Sequence, residues 1–268
     1  MARITEAQVR QYHDEGYFIL EQAIPEHHLE MLRAECARYI KMIEDEMDRQ
    51  GKDVIGLNHR GSRYFISNRY KESPHLADFI FSDLMAEICR ATLGDTAYLF
   101  HEQFVVKAAE RGMKFGWHQD SGYVTSAHKP YVTCWCALDD VNEENGTVYL
   151  LPYSRAGVRE RVAHVQEEGT NDLIGYFGDD PGIPVIVPAG SIAVFSSVCF
   201  HRSGPNRTSK MRRIYLPQYS AEPILSADGS QIWAFAAPFL KDRQVVAARR
   251  FEGEAVTVTQ RSATAPLQ

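Results

Sequence analysis

The chain opens with apolar positions spaced for helices. Thr5 followed three residues later by Gln8 is a capping box, in which the two side chains satisfy each other's backbone N–H groups, and Gly16 closes the helix begun there. Tyr17-Phe18-Ile19-Leu20 reads as a short strand. Pro25 starts a second helix, where Leu29, Leu32, Cys36, Tyr39 and Ile40 recur at helical spacing and predict a run to about Met47. The polar stretch Asp48 to Gly61 predicts a loop. Leu76, Phe79, Ile80, Leu84, Ile88 and Leu93 then recur with a period near 3.6 and predict one helix from Pro74 to Leu93.

After residue 96 the period changes. Short β-branched and aromatic segments alternate with Gly, Pro, Asn and Asp: Ala97–Lys107, Tyr131–Leu138, Thr147–Pro152, Val185–Val187, Ser191–Phe195 and Arg212–Tyr219. Regular short strands with turn signals predict a sandwich or barrel. Helices first and strands afterwards predict an α+β protein in which helices brace one side of a β core. Two long loops are expected, Ser121–Pro130 and Ala156–Pro184, and loops of that length in a compact domain are usually functional. No internal repeat or domain linker is visible.

Composition narrows the function classes. The chain has 268 residues, 44% hydrophobic and 24% charged, with a net charge of −6 and no basic stripe of the kind nucleic-acid binding requires. No stretch approaches the apolar length of a membrane span, and Met1-Ala2-Arg3-Ile4-Thr5-Glu6 lacks the apolar core of a signal peptide. The odd count of 5 cysteines (Cys36, Cys89, Cys134, Cys136, Cys199) argues for free thiols in a reducing compartment. A cytoplasmic protein is therefore expected, without membrane or nucleic-acid partners and with its oligomeric state open.

The candidate chemistry starts at Trp117-His118-Gln119-Asp120. In an extended backbone His118 and Asp120 point the same way, offering one nitrogen and one oxygen donor. A second histidine would complete a facial His₂-carboxylate set of the non-haem iron type. His201, between the apolar run Ile192-Ala193-Val194-Phe195 and the turn Ser203-Gly204-Pro205-Asn206, is the best-placed candidate. His-x-Asp alone is weak, because 10 histidines and 35 acids make chance occurrence easy. Arg212 strengthens it. The run Met211 to Pro217 alternates, so Arg212 shares a face with Ile214 and Leu216, and a buried guanidinium needs an anion. That anion is either a dicarboxylate gripped by the two-pronged guanidinium or one of the protein's own acids.

Taken together, these features resemble the phytanoyl-CoA dioxygenase family of Fe(II)/2-oxoglutarate oxygenases, from about Ile4 to Tyr219. The resemblance is carried by Glu15-Gly16-Tyr17-Phe18-Ile19-Leu20, Trp117-His118-Gln119-Asp120, Trp135, Leu138-Asp139-Asp140, Glu144-Asn145-Gly146-Thr147-Val148, and His201-Arg202-Ser203-Gly204-Pro205-Asn206 with Arg212. Leu151-Pro152-Tyr153-Ser154 stands where the family usually has Pro-Gly-Ser-His. The resemblance implies a double-stranded β-helix, a jelly-roll or cupin-like barrel with the N-terminal helices on one face. It would form a single domain over residues 1–251, with helices mainly in 5–93, the barrel mainly in 97–220 and a flexible tail over 252–268.

It further implies that His118, Asp120 and His201 ligate Fe(II), that Arg212 and Ser203 hold the distal carboxylate of 2-oxoglutarate, and that Trp135 lines that pocket, with Gln103 and Lys107 as further contacts. O₂ would be consumed, succinate and CO₂ released, and ascorbate would act as a supporting reductant. Related halogenases lack the carboxylate ligand, so Asp120 points to hydroxylation. Asn58, His59, Tyr64, Phe65, His101 and Tyr123 are candidates for the substrate pocket, Ala156–Pro184 for a lid, and His128 for a solvated loop residue. The substrate expected is a small molecule, with a role in tailoring specialised metabolites. Two alternatives stay open: a cupin-like zinc or manganese enzyme that does not use 2-oxoglutarate, and a non-catalytic small-molecule sensor on the same barrel.

Overall fold

The computed structural model describes residues 4–109, 114–168 and 172–246; the expected tail over 252–268 lies outside them. The N-terminal part holds α1 (Glu6–Glu15), β1 (Tyr17–Leu20), α2 (Glu26–Gln50), β2 (Val54–Ile55), β3 (Asn58–His59), β4 (Arg63–Ser67), α3 (Pro74–Ile80) and α4 (Asp83–Thr92). Then follow β5 (Ala97–Lys107), β6 (Phe115–His118), β7 (Val132–Ala137), β8 (Val148–Leu151), α5 (Tyr153–Ala156), β9 (Val165–Gln166), β10 (Leu173–Ile174), β11 (Ile183–Pro184), β12 (Ile192–Ser196), β13 (Phe200–Ser203), β14 (Arg212–Ser220), β15 (Ala237–Lys241) and β16 (Gln244–Val245).

The capping box at Thr5 forms as expected, and Gly16 ends α1 with φ 85°. Elsewhere the structure departs from the periodicity. The single helix expected from Pro74 to Leu93 is two, because Ser73 and Ser82 each cap a helix start by accepting a backbone N–H, from Leu76 and Met85 respectively. The hydrophobic period runs through this break, since both helices pack on one surface. α2 extends to Gln50, ending at Gly51, and the expected loop after it contains the small β2–β3 hairpin. β4, β6 and β13 were not expected as strands. The strand expected at Val185–Val187 is shifted to Ile183–Pro184, with Val187 making only a bridge to Val141.

Two antiparallel sheets face each other. The larger runs β1-β12-β7-β14-β5-β4-β3-β2, with β15 also on β5 and β16 on β15; the smaller runs β11-β8-β13-β6. From β5 through β8 the chain alternates between the sheets, and β12, β13 and β14 do so again. This is the jelly-roll, a double-stranded β-helix, and the helices lie on the outer face of the larger sheet. That sheet is therefore buried on both sides. Cys134, Cys136, Val194, Tyr215, Tyr219 and Phe104 pack with Leu32, Cys36, Phe79 and Met85 of the helices. Trp135, Ala193, Phe195, Ile214 and Leu216 pack inward with Val148, Leu150 and Cys199 of the smaller sheet. All 5 cysteines are buried and free. Among the described residues no helix is long and apolar enough to cross a membrane.

One ionisable group sits in the sheet–helix layer. Glu102, on the helix-facing side of β5, is fully buried. Its carboxyl accepts the N–H of Tyr70 at 2.9 Å and that of Arg69, holding the turn that follows β4. Burial pushes its pKa up to about 7. A carboxyl whose folded pKa lies above its unfolded value binds its proton more tightly when folded, so its stabilisation is present at low pH and is lost as pH rises toward 7. Thermal or urea unfolding should show wild-type stability falling between about pH 5 and 7 with a slope approaching ~1.4 kcal/mol per pH unit relative to Glu102→Gln. Parallel pH profiles for the two proteins would remove this account of the buried carboxyl.

Candidate metal centre and active site

β6 and β13 are neighbours in the smaller sheet, and their register sets His118 directly across from His201. The rings lie 4.2 Å apart between centroids. His118 is the last residue of β6; Gln119 stays extended (φ −111°, ψ 138°) and delivers Asp120 to the start of a 3₁₀ turn, Asp120–Tyr123. His201 Nε2 lies 3.4 Å from Asp120 Oδ1. One donor atom from each of the three residues falls within 4.8 Å of the others.

The surroundings fix the orientation of all three side chains. His118 Nδ1 is 2.8 Å from the carbonyl of Gly116, and His201 Nδ1 is 3.1 Å from that of Cys199. A carbonyl only accepts, so each Nδ1 carries a proton, which leaves Nε2 as the ring nitrogen facing the space between the three residues. Burial, with His201 alongside, pushes the His118 pKa down to about 3, keeping it neutral. Burial acts to raise Asp120, but the neighbouring histidines and the Thr133 hydroxyl outweigh it and hold the pKa at about 2. Thr133 Oγ1 donates to Asp120 Oδ2 at 2.6 Å, and Gln218 Nε2 donates to the same oxygen at 3.0 Å and to Thr133 Oγ1 at 2.9 Å. Oδ2 is thus turned outward and Oδ1 faces His201. Two histidine nitrogens and a carboxylate oxygen converging this way suit an octahedral metal with open positions.

Beside the triad two positive charges are buried together. Arg212 of β14 pairs directly with Lys107 of β5, and their exposures are 2% and 1%. Lys107 Nζ donates to Ser203 Oγ at 2.7 Å and to the carbonyl of Gly204. One Arg212 nitrogen donates to Gly146 O at 3.1 Å, its guanidinium lies 5.7 Å from the Trp135 ring centroid, and its Nε has no hydrogen-bond partner. Burial pushes Arg212 down to about 10, and burial followed by Arg212 itself lowers Lys107. Neither forms an ion pair among the described residues. Two desolvated cations with a spare donor fit an anion brought in from solution, and a dicarboxylate reaching from the triad meets that requirement.

The other expected residues divide. Gln103 and His101 lie on the same face of β5 as Lys107, at two-residue steps. His101 Nδ1 is buried without a partner, and burial takes its pKa down to about 4. The Tyr123 ring stands edge-on to His118 at 5.6 Å, and its hydroxyl accepts the N–H of Leu173 at 3.2 Å. Phe65 meets Phe115 of the metal-bearing strand edge-on at 5.8 Å. Asn58 props β4 by accepting the N–H of Phe65 at 2.8 Å, and His59 Nε2 lies 3.4 Å from Arg63. Tyr64 needs correcting: strand alternation turns it to the opposite face, where its hydroxyl donates to Glu44 of α2 at 2.5 Å. His128 is not simply solvated, since its Nε2 is 3.0 Å from Ser121 Oγ. The departure at Leu151–Ser154 braces the N-terminus. Tyr153 packs against Gly16, and Ser154 Oγ donates to Glu15 at 2.7 Å. Thr133 and Gln218 were missed. Their only signal was shared parity with Trp135 and Arg212 on their strands.

A sequence profile described as phytanoyl-CoA dioxygenase matches residues 12–214. The chain belongs to the phytanoyl-CoA dioxygenase family. It is an oxidoreductase of the dioxygenase class, in a family of iron- and 2-oxoglutarate-dependent oxygenases. Among relatives of this family member, a probable alpha-ketoglutarate-dependent hypophosphite dioxygenase of Stutzerimonas stutzeri is 24% identical over 234 residues, covering 80% of this chain and 78% of its own. The ectoine dioxygenase of Bordetella bronchiseptica is 25% identical over 220 residues, covering 74% and 70%. The solved structure of EvdO2 from Micromonospora carbonacea var. aurantiaca, complexed with 2-oxoglutarate, superposes with a TM-score of 0.64 at 22% identity, over 85% of this chain and 95% of that one.

Outer hydrogen bonds to metal-ligating carboxylates typically carry 10–100-fold in metal affinity. Thr133→Val and Gln218→Leu should each weaken Fe(II) or Mn(II) binding by about tenfold or more, with the double variant weaker still, as read by equilibrium metal competition. Unchanged affinity in both would mean that Oδ2 needs no anchoring.

Proposed function

We propose that this protein is an Fe(II)/2-oxoglutarate-dependent dioxygenase that hydroxylates a small molecule, within one catalytic domain spanning residues 1–251. The observation that carries the reading is the His118, Asp120, His201 triad with a buried, anion-deficient cation pair beside it. His118, Asp120 and His201 would hold the metal. Arg212 and Ser203, with Lys107 donating to the Ser203 hydroxyl, would receive the distal carboxylate of 2-oxoglutarate over the Trp135 ring. Gln103 is the next polar side chain on the β5 face. The bound metal and co-substrate supply the oxidation, in which 2-oxoglutarate and O₂ become succinate and CO₂ and one oxygen atom enters the substrate.

The protein's part is orientation and exclusion of water. The histidines, with Nδ1 fixed on backbone carbonyls, would turn Nε2 toward the metal without rearrangement. Asp120 fills a position that halogen chemistry would need open, which favours hydroxylation. His101, Phe65 and Tyr123 would contact the primary substrate, with Asn58 and His59 supporting them from behind. Relatives named for hypophosphite and ectoine support a small, polar substrate, and a tailoring role in specialised metabolism is consistent with that size. The buried cations beside the triad favour a dicarboxylate co-substrate over a zinc hydrolase, which needs no dicarboxylate clamp.

Anaerobic titration of 2-oxoglutarate into the Fe(II) protein should give a visible metal-to-ligand charge-transfer band, and adding O₂ and ascorbate should give succinate. His118→Ala and Asp120→Ala should abolish both. Arg212→Ala should raise the 2-oxoglutarate requirement at least about tenfold, as expected for a lost charged hydrogen bond, while leaving the primary-substrate requirement nearly unchanged. No band and no succinate from an iron-loaded protein would transfer the assignment to the metalloenzyme or sensor alternatives.

A further inference from the structure

The residue between the two ligands of the metal motif ties that motif to the segment expected to be a lid. Gln119 is fully buried. Its Nε2 donates to Glu160 O at 2.9 Å and to Val198 O at 2.7 Å, and its Oε1 accepts the N–H of Val162 at 3.0 Å. Its backbone N–H donates to His164 Nε2 at 3.0 Å. His164 Nδ1 lies 3.0 Å from Val162 O, so Nδ1 carries the proton and Nε2 is the acceptor.

The His164 ring fills a slot between two glycines. A Cβ on Gly122 would meet it at 2.7 Å, and one on Gly175 at 2.6 Å. Gly122 lies in the turn that begins with Asp120. Gly175 N–H donates to Trp117 O at 2.9 Å, one residue before His118. One imidazole therefore touches the middle of the metal motif and the turn after it, and meets Gly175, whose own N–H holds Trp117 before it.

We propose that His164 is a positioning residue that couples metal occupancy to the ordering of residues 158–168 and 172–176. The inference rests on the triad being the metal site. His118 and Asp120 converge only while Gln119 keeps its extended backbone, and that conformation aims a buried N–H at His164. Without an acceptor this N–H is left unsatisfied, which costs enough to favour a rotated peptide. Rotation there moves Asp120 relative to His118. A metal bound by both ligands holds the same N–H in the direction His164 accepts, and such coupling is reciprocal by thermodynamic necessity.

Hydrogen–deuterium exchange on the full chain, with and without Mn(II), tests this alongside equilibrium Mn(II) affinity. Mn(II) should slow exchange across 158–168 and 172–176. His164→Phe keeps a ring between the glycines but cannot accept; it should weaken Mn(II) about tenfold and abolish the protection. His164→Gln, whose carbonyl can accept, should recover part of both. Wild-type protein that binds Mn(II) without protecting the segment sinks the coupling while leaving the metal site intact, and so does His164→Phe behaving as wild type. Wild type that binds no metal removes the functional reading and this inference together.

Discussion

Two strand pairings place everything that matters in this site. Because β13 lies against β6 in a fixed register, two histidines far apart in the chain stand directly opposite one another. Because β14 lies against β5, Arg212 and Lys107 do the same. Each ladder carries one irregularity, between His201 and Ser203 and between Gln218 and Tyr219, and elsewhere a slip of one residue would turn every side chain to the other face of the sheet. The larger sheet is buried on both faces, by helices outside and by the smaller sheet inside. Any slip would therefore expose apolar residues and bury polar ones, so the core packing that stabilises the jelly-roll also fixes the geometry of the site.

The cation pair shows how far the fold desolvates charge beside the triad. Lys107 and Arg212 repel each other, and neither is solvated. The protein meets part of the cost with neutral oxygens, from Ser203, Gly204 and Gly146, and leaves Arg212 Nε without a partner. Contrast Arg213, one residue on and facing the helices, which closes a two-pronged pair with Asp139 at 3.0 and 2.5 Å. Neighbouring arginines in one strand thus differ, one closed in an ion pair and one buried without an anionic partner among the described residues, according to which face they occupy.

Around the triad, orientation is imposed from several directions by uncharged groups. Backbone carbonyls set the histidine tautomers, Thr133 and Gln218 turn the Asp120 carboxylate, and Gln119 and His164 hold the connecting backbone. None of these adds net charge next to the metal position, so the donor set keeps the single negative charge that Asp120 provides. The segment after β10 is joined to β6 by ring packing as well, with Tyr176 edge-on to Trp117 at 5.9 Å.

The sequence by itself determined His118 and Asp120 as a paired nitrogen and oxygen donor, the change from helical to strand periodicity near residue 96, and the inward face of Arg212. Each follows from local rules: capping residues, a period of 3.6 or 2, and a short motif whose two donors share a side. It also made His201 the best candidate, from its place after an apolar strand and before a turn. Local rules did not reach the break at Ser82, because the apolar period continues through it. Nor did they reach the strands β4, β6 and β13, whose main pairing partners lie far away in the chain. Tyr64 and Phe65 look equivalent in the chain, and only the sheet assigns one to α2 and the other to the metal side. Thr133, Gln218 and His164 carry no sequence signal of their own, because a single polar residue in an apolar run gains meaning only from the partner that another strand or segment brings to it. Tertiary structure decided these residues, since hydrogen bonds between distant segments exist only once the register of both sheets is set.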